Sequence, residues 1–150
     1  MEFSLPIRVY IEDTDAGGVV YYVNYLKFME RGRTELLRSL GFDKAGANTS
    51  GVMFVVVAAD VKYLRPARLD DQLQVVTTVR RKSSASIWFN QIVRRGEVDH
   101  SVVEENGGEI CCEAAIRIAC VLRAENDEFK PVAIPVEIGN AIKKYLPRED

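Results

Sequence analysis

One long amphipathic helix with no helical partner of similar length restricts this chain more than any other feature. Over residues 22–40, Tyr25, Phe28, Met29, Gly32, Leu36, Leu37 and Leu40 fall on one stripe at helical spacing. Lys27, Arg31, Thr34, Glu35 and Arg38 lie mostly on the other side. Asn24 is placed to cap the first turn, and Gly41 to supply the left-handed residue just past the last. Gly32 sits in the middle of the stripe, where it weakens the helix. Close approach of another backbone is the compensation expected for a residue without a side chain.

The rest of the chain reads mainly as strands. Residues 4–11 alternate Leu5, Ile7, Val9 and Ile11 against Pro6, Arg8 and Tyr10. Strands are expected over 52–65, 71–82, 86–95 and 110–123. The last places Cys112, Ala114, Ile116, Ile118, Cys120 and Leu122 on one face. Residues 98–108 form a polar hairpin loop, and a short amphipathic tail over 136–146 suggests a second helix. Such alternation belongs to an antiparallel sheet with one face covered. The sheet must bury a face and the helix must bury its stripe, so the economical fold wraps one around the other. The expectation is an α+β chain, five antiparallel strands around one central helix. Its 150 residues suffice for a single domain, 1–150, with its own core.

Composition removes several functions. With 20 basic and 22 acidic residues the net charge is -2, which argues against broad nucleic-acid binding. His100 is the only histidine, so a His-rich metal site is excluded and no metal is expected. His100 lies in the polar loop with no partner nearby in sequence, a poor setting for a catalytic base. Cys111, Cys112 and Cys120 form no C-x-x-C pair and are odd in number, which fits a reducing compartment. Cys112 and Cys120 read as core filler. The start of the chain has no signal-peptide pattern, and no apolar run approaches the roughly 20 residues of a membrane span. These features point to the cytoplasm.

The turn over residues 13–18, Asp-Thr-Asp-Ala-Gly-Gly, runs into the helix. A helix start offers unpaired backbone N–H groups and a partial positive charge, which suits a developing oxyanion. Gly17 and Gly18 let the backbone approach a ligand closely. Asp15 is a carboxylate able to attack a carbonyl or to activate water. Asp and Gly ahead of a helix are also ordinary turn and cap residues. No Lys-Ser or Lys-Thr follows the glycines, so this is not a phosphate-cradling P-loop.

The run RVYIEDTDAGGVVYYVNYLKFMERGRTELLRSLG resembles the 4-hydroxybenzoyl-CoA thioesterase-like hotdog proteins, and within them the acyl-CoA thioesterases associated with the Tol-Pal system. The likeness continues through VKYLRPARLDD, FNQIV and KPVAIP, and so covers nearly the whole chain. It implies a hotdog fold and hydrolysis of an acyl-CoA, with coenzyme A as part of the substrate and no separate cofactor. Asp15 takes the position of the family's catalytic Asp, and Asp13 becomes a structural partner in the turn. The oxyanion donor falls at or near the backbone amide of Tyr22. That position is often His in the Tol-Pal-associated group, so the tyrosine removes any imidazole role there. Gly17, Gly18, Val19 and Tyr25 are the substrate-contacting residues expected beside Asp15. Arg80, Arg81 and Lys82 resemble a strand-end basic cluster that contacts coenzyme A phosphates, and the forked guanidinium chemistry fits. Arg65 and Arg68 are weaker candidates of the same kind. For Glu30 and Arg33 a helix ion-pair network is the simpler reading.

The resemblance also implies edge-to-edge pairing into a dimer or tetramer, with active sites at the interface. An acyl carrier protein is a possible alternative carrier. Three other functions stay open at this stage. A non-catalytic acyl-CoA or acyl-carrier-protein binding module would bind without turnover. A hydratase or dehydratase would normally need a well-placed His. A nucleic-acid-binding β protein would need a basic, aromatic face.

Overall fold

The computed structural model describes residues 1–42, 51–96 and 108–148. In chain order these form β1 (Phe3–Arg8), a 3-10 turn (Ile11–Asp13), α1 (Asn24–Ser39), β2 (Val52–Tyr63), β3 (Gln72–Lys82), β4 (Ser86–Arg95), β5 (Glu109–Arg123), β6 (Phe129–Pro131) and α2 (Val136–Ile142), with a final 3-10 turn over Lys143–Tyr145. The sheet runs β1-β3-β4-β5-β2, every pairing antiparallel, and β6 pairs with the end of β5. This is the hotdog arrangement, with six strands rather than the five expected from alternation. The sixth has only three residues and contains Pro131, too little to show a period.

Helix α1 lies across β3, β1 and β4. Its Phe28, Met29 and Leu36 join Leu73, Val75, Ile87, Phe89 and Val93 in one fully buried cluster. Cys111, Cys112 and Cys120 are buried too. Helix α2 adds Ile138 and Ile142 to the same cluster, and Tyr145 follows them. At the end of α1, Gly41 takes φ +90° and donates to the Arg38 carbonyl at 3.0 Å, the helix stop expected of it.

Gly32 proves to be a site of close approach, but to side chains rather than a backbone. A Cβ there would lie 2.9 Å from Val75 Cγ1, 3.1 Å from Thr77 Oγ1 and 3.2 Å from Gln91 Nε2. The strand expected over 4–11 is also shorter. It stops at Arg8, and the chain then turns, with Asp13 N donating to the Tyr10 carbonyl. Ile11 is therefore exposed instead of facing the core.

The register separates two ends of the sheet. At one end β1 finishes beside the start of β3, with Arg8 opposite Gln72, and β2 finishes with Tyr63 opposite Cys112. At the other, Lys82 lies opposite Ile87 and Val52 opposite Leu122. The eleven residues of β3 hold the ends roughly 30 Å apart at the usual strand rise.

Candidate active site

The acidic turn lies at the first of these ends and is a tight hairpin. Thr14 bridges to Val20, Asp15 N donates to the Val19 carbonyl at 2.9 Å, and Gly18 N donates to the Asp15 carbonyl at 3.0 Å. Gly18 has φ +77°, a conformation that favours glycine. The Gly17 amide donates to Asp15 Oδ1 at 2.8 Å. That contact orients the carboxylate and leaves Oδ2 without a hydrogen bond among the described residues. Asp15 itself is exposed. Outside the hairpin, Val19 bridges to Arg68 and Val20 N donates to the Ala67 carbonyl at 2.8 Å. The Ala67 amide in turn donates to Tyr25 Oη at 3.0 Å, so the buried tyrosine of α1 grips the same segment.

Asp13 pins this hairpin to the helix. Its side-chain Oδ2 accepts the Tyr10 amide at 2.9 Å, the structural part expected of it. Its carbonyl accepts both the Tyr21 amide at 2.9 Å and Asn24 Nδ2 at 2.8 Å. Asn24 is thus not the cap. Val23 precedes the helix in helical conformation without a side-chain cap, and the Asn24 amide reaches backwards instead. The amides of Val20, Tyr21 and Asn24 are spent on Ala67, Asp13 and Tyr21 carbonyls. Those of Tyr22 and Val23 have no acceptor among the described residues, which is the state required of oxyanion donors at a helix start.

Beside them runs a chain of aromatic rings. Tyr21 and Tyr22 meet edge to face with centroids 5.0 Å apart, Tyr22 and Tyr63 at 5.8 Å, Tyr63 and Tyr25 at 5.8 Å, and Tyr25 and Phe28 at 6.2 Å. Burial raises the Tyr25 phenol above its usual range, with the Ala67 hydrogen bond opposing it. Tyr22 and Tyr63 remain 55% and 46% exposed. Sequence reasoning did not single out Tyr63. Its only signal was its place in VKYLRP, at the end of a strand whose exit could not be aimed without the register.

The basic run is not brought to Asp15 within one chain. It lies at the opposite end of the sheet, and a bulge between Val79 and Arg81 divides it. Arg81 turns to the outer face, where its guanidinium stands 3.9 Å from the centroid of the Trp88 ring. Trp88 is on that outer face, whereas Phe89 is fully buried. Lys82 instead packs by its stem against α2, its Cε only 2.9 Å from where a Gly139 Cβ would be. Arg65 Nε pairs with Glu109 at 3.2 Å. Arg33 is buried and donates to Gln91 Oε1 at 2.8 Å, while the nearby Glu30 carboxylate favours its charged form. His100 and nearly all of the loop expected over 98–108 lie outside the described residues.

A family model described as the thioesterase-like superfamily matches residues 9–142. The chain belongs to this superfamily. Within the family, it is 40% identical over 140 residues to the acyl-CoA thioesterase YbgC of Haemophilus influenzae, covering 93% of each chain. It is 38% identical over 142 residues to the acyl-CoA thioester hydrolase YbgC of Escherichia coli O6:H1, covering 95% of this chain and 96% of that one. Among solved structures, a probable thioesterase from Bartonella henselae superposes with TM-score 0.74 at 31% identity, covering 90% of this chain and all of the other. A 4-hydroxybenzoyl-CoA thioesterase complexed with 4-hydroxybenzoyl-CoA gives TM-score 0.81 at 14% identity, over 95% of this chain and 99% of that one, a likeness of fold. The thioesterase family read from the D-T-D-A-G-G run and the hotdog fold it implied are both borne out, and the protein is a thioester hydrolase. Among the described residues no helix is long and apolar enough to cross a membrane.

Proposed function

We propose that this thioesterase hydrolyses acyl-CoA, with Asp15 as its catalytic carboxylate and the backbone amide of Tyr22 as oxyanion donor. The observation that carries the proposal is the double hydrogen bond to the Asp13 carbonyl from Tyr21 N and Asn24 Nδ2. It fastens the Asp15 hairpin to the helix start whose next two amides are unspent. A thioester carbonyl between them meets a carboxylate and N–H donors together, without His or metal.

The chemistry then has two possible routes. In one, an Asp15 oxygen attacks the carbonyl carbon, the C–S bond breaks, and water hydrolyses the resulting anhydride. In the other, Asp15 takes a proton from water as the oxygen of that water attacks. Both release a thiolate, a good leaving group that needs little acid assistance. Gly17, Gly18 and Val19 line the approach, and Tyr22, Tyr25 and Tyr63 provide an aromatic wall for the acyl group. An acyl-carrier-protein thioester presents the same bond and is the alternative substrate.

The site is completed by a second copy of the chain. Strand β2 is an edge with no neighbour on its outer side among the described residues. It exposes Val56 by 53% and Val57 by 50%. A long apolar edge is a template for pairing. Arg80, Arg81 and Lys82 of one protomer then serve substrate bound by another. The protein is read as a cytoplasmic homo-oligomer, dimeric or tetrameric, with no cofactor beyond the coenzyme A of its substrate.

The test is thiol release from acyl-CoA esters ranging from short aliphatic to long and aromatic. Turnover on at least one ester is expected. Tight binding with no release from any of them would contradict the proposal.

A further inference from the structure

Both legs of the loop that carries Asp15 hang on one short segment, residues 66–71. On the entry side, Val9 N donates to the Asp71 carbonyl and Asp70 N to the Val9 carbonyl, each at 3.0 Å. Arg8 Nη1 adds a bond to the Asp70 carbonyl at 2.8 Å. On the exit side, Val20 N donates to the Ala67 carbonyl at 2.8 Å, and Val19 bridges to Arg68. Tyr25 of α1 holds the same segment through the Ala67 amide. Where Asp15 stands relative to the helix start therefore depends on the shape of residues 66–71. That shape is not a relaxed one. Asp70 has φ +66°, in the left-handed region that residues with a side chain seldom occupy.

One side chain spans the segment from end to end. Arg95, the last residue of β4, donates from Nη2 to the Pro66 carbonyl. Its Nε stands 2.9 Å from Asp71 Oδ2, an ion pair rather than an aligned hydrogen bond. Its Nη1 donates to Glu109 Oε2 at 3.0 Å, which anchors the clamp to the first residue of β5. Asp71 Oδ2 also accepts the Arg68 amide at 2.8 Å, closing the turn from inside. The Arg95 and Asp71 side chains are only 30% and 24% exposed, so solvent screens this pair less than an open surface pair. A planar guanidinium can serve three acceptors in fixed directions, which the point charge of a lysine cannot.

We propose that Arg95 is a positioning residue for thioester cleavage. It sets the shape of residues 66–71 and, through Val9 and Val20, the placement of Asp15 against the Tyr22 amide. It touches no reacting atom. The inference rests on Asp15 as the catalytic carboxylate, and the experiment below separates the two.

The test is a double-mutant cycle on one acyl-CoA, with circular dichroism to confirm folding. It compares wild type, Arg95→Gln, Asp15→Asn and the two combined, with enzyme in excess so that residual turnover is measurable. Arg95→Gln is expected to lower kcat about tenfold and to change KM by less than about twofold. Arg95→Lys keeps the charge without the fork and should recover only part of the loss. In the Asp15→Asn background Arg95→Gln should cost nothing further, because the carboxylate it positions is gone. Asp71→Asn loosens one end of the clamp, leaves the Pro66 contact, and should show a smaller loss that also vanishes in that background. It decides the matter if Arg95→Gln does not fold. Unchanged kcat in folded Arg95→Gln and Asp71→Asn would overturn the proposal. So would a loss of the same size with and without Asp15, which would mean that Arg95 acts on the fold in general. Normal turnover by Asp15→Asn alone would remove the catalytic reading of Asp15, and this inference with it.

Discussion

Asn24 Nδ2 donates to the backbone carbonyl of Asp13 at 2.8 Å, across the junction between the acidic hairpin and the central helix. Because Asn24 is buried, the bond is made where water competes little. Asn24→Ala removes one of the two donors to that carbonyl and leaves Tyr21 N. The expected loss of stability is about 1 kcal/mol, the usual net worth of one hydrogen bond. The expected loss in kcat is about tenfold, because small displacements of a catalytic group are costly. Steady-state kinetics with a denaturant titration checks both. An equal loss in Asn24→Asp, whose side chain cannot donate when ionised, would agree. Unchanged kcat in Asn24→Ala would remove the positioning role.

Deeper in the core, Gln91 links three elements. Its Oε1 accepts Arg33 Nη1 at 2.8 Å, and its Nε2 donates to the Met29 carbonyl and to Thr77 Oγ1, each at 2.9 Å. Burial disfavours the charged form of Arg33 and lowers its pKa, with Glu30 opposing the effect. Gln91→Leu removes an acceptor from a buried cation and is expected to cost about 2–3 kcal/mol. Gly32→Ala forces a methyl group against Val75 and the Gln91 amide, and overpacking of about 1–3 kcal/mol exceeds the gain of roughly 1 kcal/mol in helix propensity. Urea unfolding of both variants should show reduced midpoints. A stabilised Gly32→Ala variant would contradict the tight contact.

The free edge of β2 gives a prediction about assembly. Val57→Lys places a charge where the exposed apolar edge would pair, a change that blocks edge-to-edge association. Light scattering is expected to show a dimer or tetramer for wild type and a smaller mass for the variant, with turnover falling in step. Equal masses and equal turnover would mean that the site does not depend on this edge.

The cysteines make a prediction about pH. Burial, then Cys111 and Glu113, pushes the Cys112 thiol up to about 12 from the ordinary 9.0. Burial also raises Cys111 and Cys120. The folded chain therefore holds these protons more tightly than the unfolded chain does. Their contribution to stability is complete below about pH 9 and is lost as pH rises toward about 12. Denaturation midpoints should fall across that window, and Cys112→Ala should flatten the fall. At pH 8, native protein should resist alkylation and keep its activity, since buried protonated thiols are poor nucleophiles.

Much of this was legible in the sequence. Period fixed α1 to within two residues at its start, and alternation placed the four long strands, because each is long enough to repeat its pattern. The Asp13 to Gly18 turn was legible because glycine and the acidic residues leave few conformations open. Other features depend on tertiary geometry. Asn24 looked like a cap because a cap is a local choice, whereas its true acceptor belongs to the preceding turn. Gln91 shares the alternating face of Ile87, Phe89 and Val93, and only the facing helix reveals why a polar residue is buried there. Arg80, Arg81 and Lys82 read as one cluster, yet a bulge and the period of two send Arg81 and Lys82 to different faces.

The most direct test of the central claim compares thiol release by wild type and Asp15→Asn on the same acyl-CoA, with binding and folding measured in parallel. The account predicts a folded variant that binds acyl-CoA as wild type does and loses most of its turnover. A folded variant that turns over normally would remove Asp15 from the chemistry, and a variant that fails to fold would make it a structural residue of the hairpin.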